Sequence, residues 1–232
     1  NDLCDLEMDK LNPEKLENPL PSGEISVREA MTVIYVSGVA GLVLSLLAGI
    51  MPFILTVTYM VLFLSYSNPT IRLKKRFLIK EGTLTVGLFL AIIIGSVAVG
   101  SLTPTVAFLG LFVSIVPFVG SPAFSDRQDM KEDKKFGVIT LANVLVWKRQ
   151  LEMLIAFVIV FMMLTPLTYV NLGLNAIFPI ISVFLSLLFL RFLFPVIVKY
   201  EYEGWRKAFK SGMIYWFGIQ IAFILGSLPI FL

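Results

Sequence analysis

The 232-residue chain has no histidine and a single cysteine, Cys4. Without imidazole it lacks the usual general base near neutral pH, the usual haem ligand and any histidine-built zinc site. One thiol cannot make a disulfide framework, and a lone cysteine is expected here as a small apolar filler rather than a nucleophile. Charge is also scarce, at 15% of residues against roughly 25% in soluble domains.

Apolar residues fill the space. They make up 57% of the chain, with a mean hydropathy of +0.88. Uncharged runs extend over residues 30–71, 82–125, 153–190 and 211–232, and one spanning helix needs about 20 apolar residues. The first three runs are each two helices long. Each carries a break near its middle: Gly49 and Pro52, then Pro104, then Pro166 with Asn171 and Asn175. The expected fold is all-α, a multi-pass transmembrane bundle forming one domain over residues 1–232. Its seven spans are expected near residues 28–49, 52–66, 83–101, 104–124, 150–169, 175–198 and 210–231.

Threading the charges through that count gives a one-sided distribution. Segments 1–29, 67–82, 125–152 and 199–210 fall on the same side of the membrane and hold all 16 acidic residues and 18 of the 19 Lys and Arg. The last, Arg191, can snorkel toward that side. By the positive-inside rule this side is cytoplasmic. The chain is thus expected in the cell membrane, with its polar loops facing the cytoplasm and lipids among its partners; no nucleic-acid partner is expected.

Within the charged segments one spacing occurs twice. Asp2, Asp5 and Asp9 in NDLCDLEMD, and Asp126, Asp129 and Asp133 in DRQDMKED, both read D-x-x-D-x-x-x-D. Positions i, i+3 and i+7 share one helix face, so each block is expected to present a row of carboxylates at a helix end beside a loop, on the water-exposed rim. Carboxylates set this close repel one another unless a cation sits among them. Hard oxygen ligands suit Mg²⁺ bridged to a phosphate. The basic run Arg72, Lys74, Lys75, Arg76 and Lys80 lies on the same side.

These motifs carry a family resemblance. N-D-x-x-D-x-x-x-D at Asn1, Asp2, Asp5 and Asp9, Pro19-Leu20-Pro21-Ser22-Gly23, and D-x-x-D-x-x-x-D-K-K-F-G-V-x-T-L from Asp126 to Leu141 together resemble the UbiA-type intramembrane prenyltransferases along the whole chain. Tyr66-Ser67-Asn68-Pro69 with Arg72-Leu73-Lys74 resembles the Y-S-x-P-x-x-(R/K)-L-K loop of the chlorophyll-synthase and homogentisate branch. The family's nine helices imply two more before Asn1, where the helix of the first motif ought to begin.

The resemblance implies transfer of a prenyl group from an isoprenyl diphosphate, such as geranylgeranyl diphosphate, to a lipophilic acceptor. Two Mg²⁺ ions would be held by Asp5, Asp9, Asp129 and Asp133. Asn1 would lie beside the diphosphate, Asp2 and Asp126 behind the metal ligands or toward the acceptor, and Arg72 and Lys74 against the leaving group, with Tyr66 near it. Lys74 would join the four carboxylates in catalysis, and Lys134 the substrate-binding residues. Two positions depart from the family pattern. Asn18 stands where Arg usually precedes Pro-Leu-Pro-Ser-Gly, a phosphate contact that Lys15 could supply, and Glu132 stands where Gly commonly precedes the last Asp.

The acceptor stays open between a glyceryl-lipid phosphate and an aromatic quinone or tetrapyrrole precursor. A CDP-alcohol phosphotransferase would need a D-G-x-x-A-R element, and no Asp-Gly pair occurs. A cation or small-molecule transporter would place its ionisable residues near the bilayer midplane, whereas these lie at helix ends.

The orientation is testable with Cys4 replaced. Cysteine introduced near Thr103 or Asn171 should react with an impermeant maleimide from outside intact cells, and cysteine near Lys131 or Glu203 only after permeabilisation. Labelling on the reverse sides would refute the orientation, and a mixture would refute the helix count.

Overall fold

The structure, a computed structural model, describes residues 2–11, 15–135, 137–199 and 201–229, with only the backbone described for Met8, Lys131 and Glu132. Among the described residues the regular structure is helical: α1 (Asp2–Asp9), α2 (Val27–Ala48), α3 (Ile50–Ser67), α4 (Ile79–Ala98), α5 (Pro104–Gly120), α6 (Ser125–Gln128), α7 (Met130–Lys135), α8 (Leu141–Val144), α9 (Trp147–Thr168), α10 (Ile177–Val198) and α11 (Tyr202–Ser227). Seven stretches are long and apolar enough to cross a bilayer: α2, α3, α4, the stretch Pro104–Gln128, α9, α10 and α11. They match the expected spans in number and order.

Local chemistry sets their ends. Ser26 and Glu29 form a reciprocal capping box at the start of α2, with Ser26 N–H donating to Glu29 Oε2 at 2.8 Å and Glu29 N–H to Ser26 Oγ at 3.2 Å. Gly49, at φ 136°, turns the chain from α2 into α3, a conformation that glycine adopts without strain. Thr103 caps α5 and Pro104 occupies its first turn. α11 begins eight residues earlier than expected, at Tyr202. Glu203, Arg206, Lys207 and Lys210 extend this helix beyond its apolar part, and Trp205 Nε1 anchors the extension by donating to the Ala123 carbonyl at 3.1 Å.

The chain folds into two compact units, Asn1–Leu102 with Gln128–Asn143, and Thr103–Arg127 with Val144–Leu232. In the first, α3 packs between α2 and α4. Gly87 of α4 lets the Phe63 ring approach so closely that a Cβ at position 87 would meet it at 2.4 Å. Many of α2's apolar side chains, among them Val33, Val36, Leu44 and Leu47, are exposed, as suits a helix that meets lipid tails.

In the second unit α10 packs on α9 and α11, and α5 on α9 and α11. Phe112, Phe161 and Tyr215 form its aromatic centre, with ring centroids 4.4 Å (Phe112–Phe161) and 5.7 Å (Phe112–Tyr215) apart. Gly218 and Gly226 bring α11 against α10, where an added Cβ would come within 2.7 Å of Leu185 and 2.6 Å of Phe178. Small residues let membrane helices approach where no hydrophobic force separates protein from lipid.

Candidate active site

The first acidic row lies on α1 as expected. Asp2 is exposed, Asp9 half-buried and Asp5 buried at 7% exposure. Asn1 lies outside the described residues.

Asp5 is held from the loop after α3. Thr70 N–H donates to Asn68 Oδ1 at 2.8 Å, an Asx turn that starts the loop. Arg72 then takes the left-handed conformation at φ 42°, which costs a residue with a Cβ about 1–2 kcal/mol. A single 3₁₀ turn over Leu73–Lys75 follows and buries Lys74. The Lys74 ammonium pairs with Asp5 Oδ1, and Arg72 Nη2 lies 3.7 Å from the same oxygen. Tyr66 is buried in the last turn of α3.

The second row does not lie on one helix. Asp126 sits in α6, in the second unit, whereas Asp129 falls in the break before α7 and Asp133 lies within α7, both in the first unit. The Asp129 carbonyl accepts the Asp133 N–H at 2.8 Å, so Asp129 opens a new helix, a place that aspartate favours because its side chain competes with helix-interior geometry. Nor is every carboxylate at a water-exposed rim: Asp5, Asp126 and Asp133 are all buried. The neighbouring cations make this burial possible. Lys80 Nζ lies 3.8 Å from Asp133 Oδ2, and Arg72 and Lys74 serve Asp5.

Lys15 joins the two rows. Its ammonium lies 3.1 Å from Asp9 Oδ1 and 3.0 Å from Asp129 Oδ1. Burial alone would lower its pKa, but hydrogen bonds and charge from Asp129 and Asp9 outweigh that and raise it above the usual lysine value. It is firmly an ammonium.

Of the other residues singled out from sequence, Lys134 is exposed on α7 and Asn18 is exposed in the loop before α2. Glu81 was not anticipated. It is buried at the start of α4, and its Oε1 accepts the Leu141 N–H at 2.9 Å. This fastens the segment after the second row to α4 by satisfying an orphan donor of α8.

The second unit contains an apolar cavity of about 230 Å³. Phe124, Phe189, Phe209, Met213 and Trp216 line it, together with Ser121 and Ser125. The chain runs from Ser125 directly into Asp126.

Residues 1–218 match the UbiA prenyltransferase family. The chain belongs to the UbiA prenyltransferase family. Like the family's other members it is a prenyltransferase and a multi-pass membrane protein. It is 34% identical over 233 residues to the digeranylgeranylglyceryl phosphate synthase of Sulfolobus acidocaldarius, covering 99% of this chain and 80% of that one. With the synthase of Sulfurisphaera tokodaii the identity is 31% over 239 residues, again covering 99% and 80%. A solved UbiA homologue from Archaeoglobus fulgidus, bound to DMAPP and Mg²⁺, shares the fold at a TM-score of 0.66 and 19% identity, covering 98% of this chain and 81% of that one.

The donor set of this UbiA family member fits Mg²⁺. Among the described residues no three carboxylates close on one point. Mg²⁺ seldom needs that: it is commonly bound through one or two carboxylates, with water and substrate phosphate oxygens completing its octahedron. Asp9 and Asp129, which already share the Lys15 ammonium, have the chemistry such a pair needs.

The Asp5–Lys74 pair generates a stability prediction. Removing one partner of a buried ion pair costs about 3–5 kcal/mol where it leaves the other charge uncompensated, and at Asp5 the more distant Arg72, 3.7 Å away, offsets part of that cost. Lys74→Met should therefore lower the unfolding temperature of the detergent-solubilised protein clearly, and Asp5→Asn in the same chain should restore much of the loss. Independent, additive losses in a double-mutant cycle would show that the pair is not coupled.

Proposed function

We propose that this prenyltransferase moves a geranylgeranyl group from its diphosphate to the free hydroxyl of a geranylgeranylglyceryl phosphate, with Mg²⁺ held by Asp5, Asp9, Asp129 and Asp133 and the site on the cytoplasmic side of the membrane. One observation carries the reading. The first unit gathers these four carboxylates with Lys15, Arg72, Lys74 and Lys80, a mixture suited to a metal–diphosphate and not to a neutral ligand. The named relatives are digeranylgeranylglyceryl phosphate synthases, and this supports a glyceryl-lipid phosphate over the aromatic or tetrapyrrole acceptors that the Tyr66–Lys74 loop also suggests. The span of the family match across both units supports reading the chain as one catalytic domain.

When bound, Mg²⁺ offsets the diphosphate's negative charge and makes it a better leaving group. The chain's own residues do the rest. Arg72 and Lys74 supply fixed positive charge toward the departing diphosphate, an arrangement that matters most as charge develops in the transition state. The allylic C–O bond breaks with its electron pair leaving on the diphosphate. The acceptor oxygen then bonds to the allylic carbon, and its proton leaves with the diphosphate. The allylic cation formed in this step survives only where water is excluded and aromatic faces shield it.

Purified protein given Mg²⁺, labelled geranylgeranyl diphosphate and either geranylgeranylglyceryl phosphate or an aromatic quinone precursor should label the glyceryl lipid. Label on the aromatic compound alone would overturn the acceptor assignment. Asp9→Ala and Asp129→Ala should each reduce turnover about a hundredfold or more. Full activity of either variant at saturating Mg²⁺ would remove that residue from the metal site.

A further inference from the structure

Lys15 places one ammonium where two acidic rows meet. It comes from the loop between α1 and α2, and its contacts at 3.1 Å to Asp9 and 3.0 Å to Asp129 are made by the same atom, Nζ. Among the other cations at the site, Arg72 and Lys74 lie against Asp5, and Lys80 lies 3.8 Å from Asp133. Lys15 is also more accessible than Lys74 or Lys80, at 30% side-chain exposure against 7% and 12%. It thus combines the contact to both rows with the freedom to move.

A divalent ion bound by Asp9 and Asp129 would use the oxygens that Lys15 now uses. Two cations cannot share those oxygens without strong repulsion. Resting on the reading that Asp9 and Asp129 hold Mg²⁺, we infer that Lys15 is an exchangeable counter-ion that couples metal binding to diphosphate binding. With no diphosphate present, metal entry must displace the ammonium and leave it without an anion, which weakens metal binding. With diphosphate present, the displaced ammonium moves on its four-carbon stem to a phosphate oxygen. The cost of displacement falls and the metal binds more tightly. By linkage the metal tightens diphosphate binding by the same factor. The enzyme therefore takes up the two together, and its acidic rows stay charge-matched when neither is bound.

The test is a binding cycle that needs no turnover. Mn²⁺ is titrated into the detergent-solubilised full chain and followed by electron paramagnetic resonance, with and without a thiolo analogue of geranylgeranyl diphosphate. Lys15→Met should bind Mn²⁺ about fivefold or more tightly than the wild type when the analogue is absent, and should lose a like factor of the metal–analogue coupling. Lys15→Gln should behave the same way and serves if Lys15→Met does not fold, while Lys15→Arg should retain the coupling. Unchanged or weaker Mn²⁺ binding with unchanged coupling in Lys15→Met or Lys15→Gln would overturn the role of Lys15 alone. A wild-type protein that binds no Mn²⁺ under either condition would overturn the metal reading and this inference with it.

Discussion

Carboxylates taken out of water must be matched by cations, and the site is arranged around that constraint. An isolated buried charge costs several kcal/mol even after relaxation. Asp5 is buried with Lys74 and Arg72 beside it, and Asp133 with Lys80. These pairs also fix the backbone. The left-handed turn at Arg72 persists because it delivers two cations to one carboxylate, and strain of this kind is retained where the surroundings over-determine it. Lys15 extends the matching between rows, so the carboxylates are brought together by the charge that a metal–diphosphate would bring.

The scaffold follows from the other half of the composition. Lipid cannot hydrogen-bond a backbone, so the spanning segments must satisfy their own amides, and helices do so. Glycine at Gly87, Gly218 and Gly226 lets neighbouring helices close. Packing of this kind holds the helices together within each unit, and several of the charged side chains in the proposed site come from the segments between helices. The loop after α3, the break before α7 and the loop before α2 carry Arg72 with Lys74, Asp129 and Lys15 in turn.

The fold was largely legible in the sequence because hydropathy runs and Gly or Pro breaks report spans directly. The start of α11 was not, since Glu203, Arg206, Lys207 and Lys210 read as a loop until Trp205 is seen tied to Ala123. The carboxylate spacing was legible, but not the break at Asp129, where a helix-compatible pattern gives way to aspartate's preference for helix starts. Least legible were the long-range partners. Glu81 resembles any charge flanking a span, and its contact with Leu141 lies 60 residues away. Lys15 sits in an aperiodic loop, and nothing local indicates that it reaches Asp129.

Family membership establishes prenyl transfer; the charge arrangement says how this chain would carry it out. On the proposal that Lys15 is an exchangeable counter-ion, Asp9 and Asp129 share one cation position, held by Lys15 and taken by a metal when diphosphate binds. Anomalous diffraction from crystals grown with Mn²⁺ and the thiolo diphosphate analogue tests it most directly. The expected result is a manganese peak bound by both carboxylates, with the Lys15 ammonium moved onto a phosphate oxygen. A manganese peak elsewhere, with Lys15 still bridging Asp9 and Asp129, would contradict it.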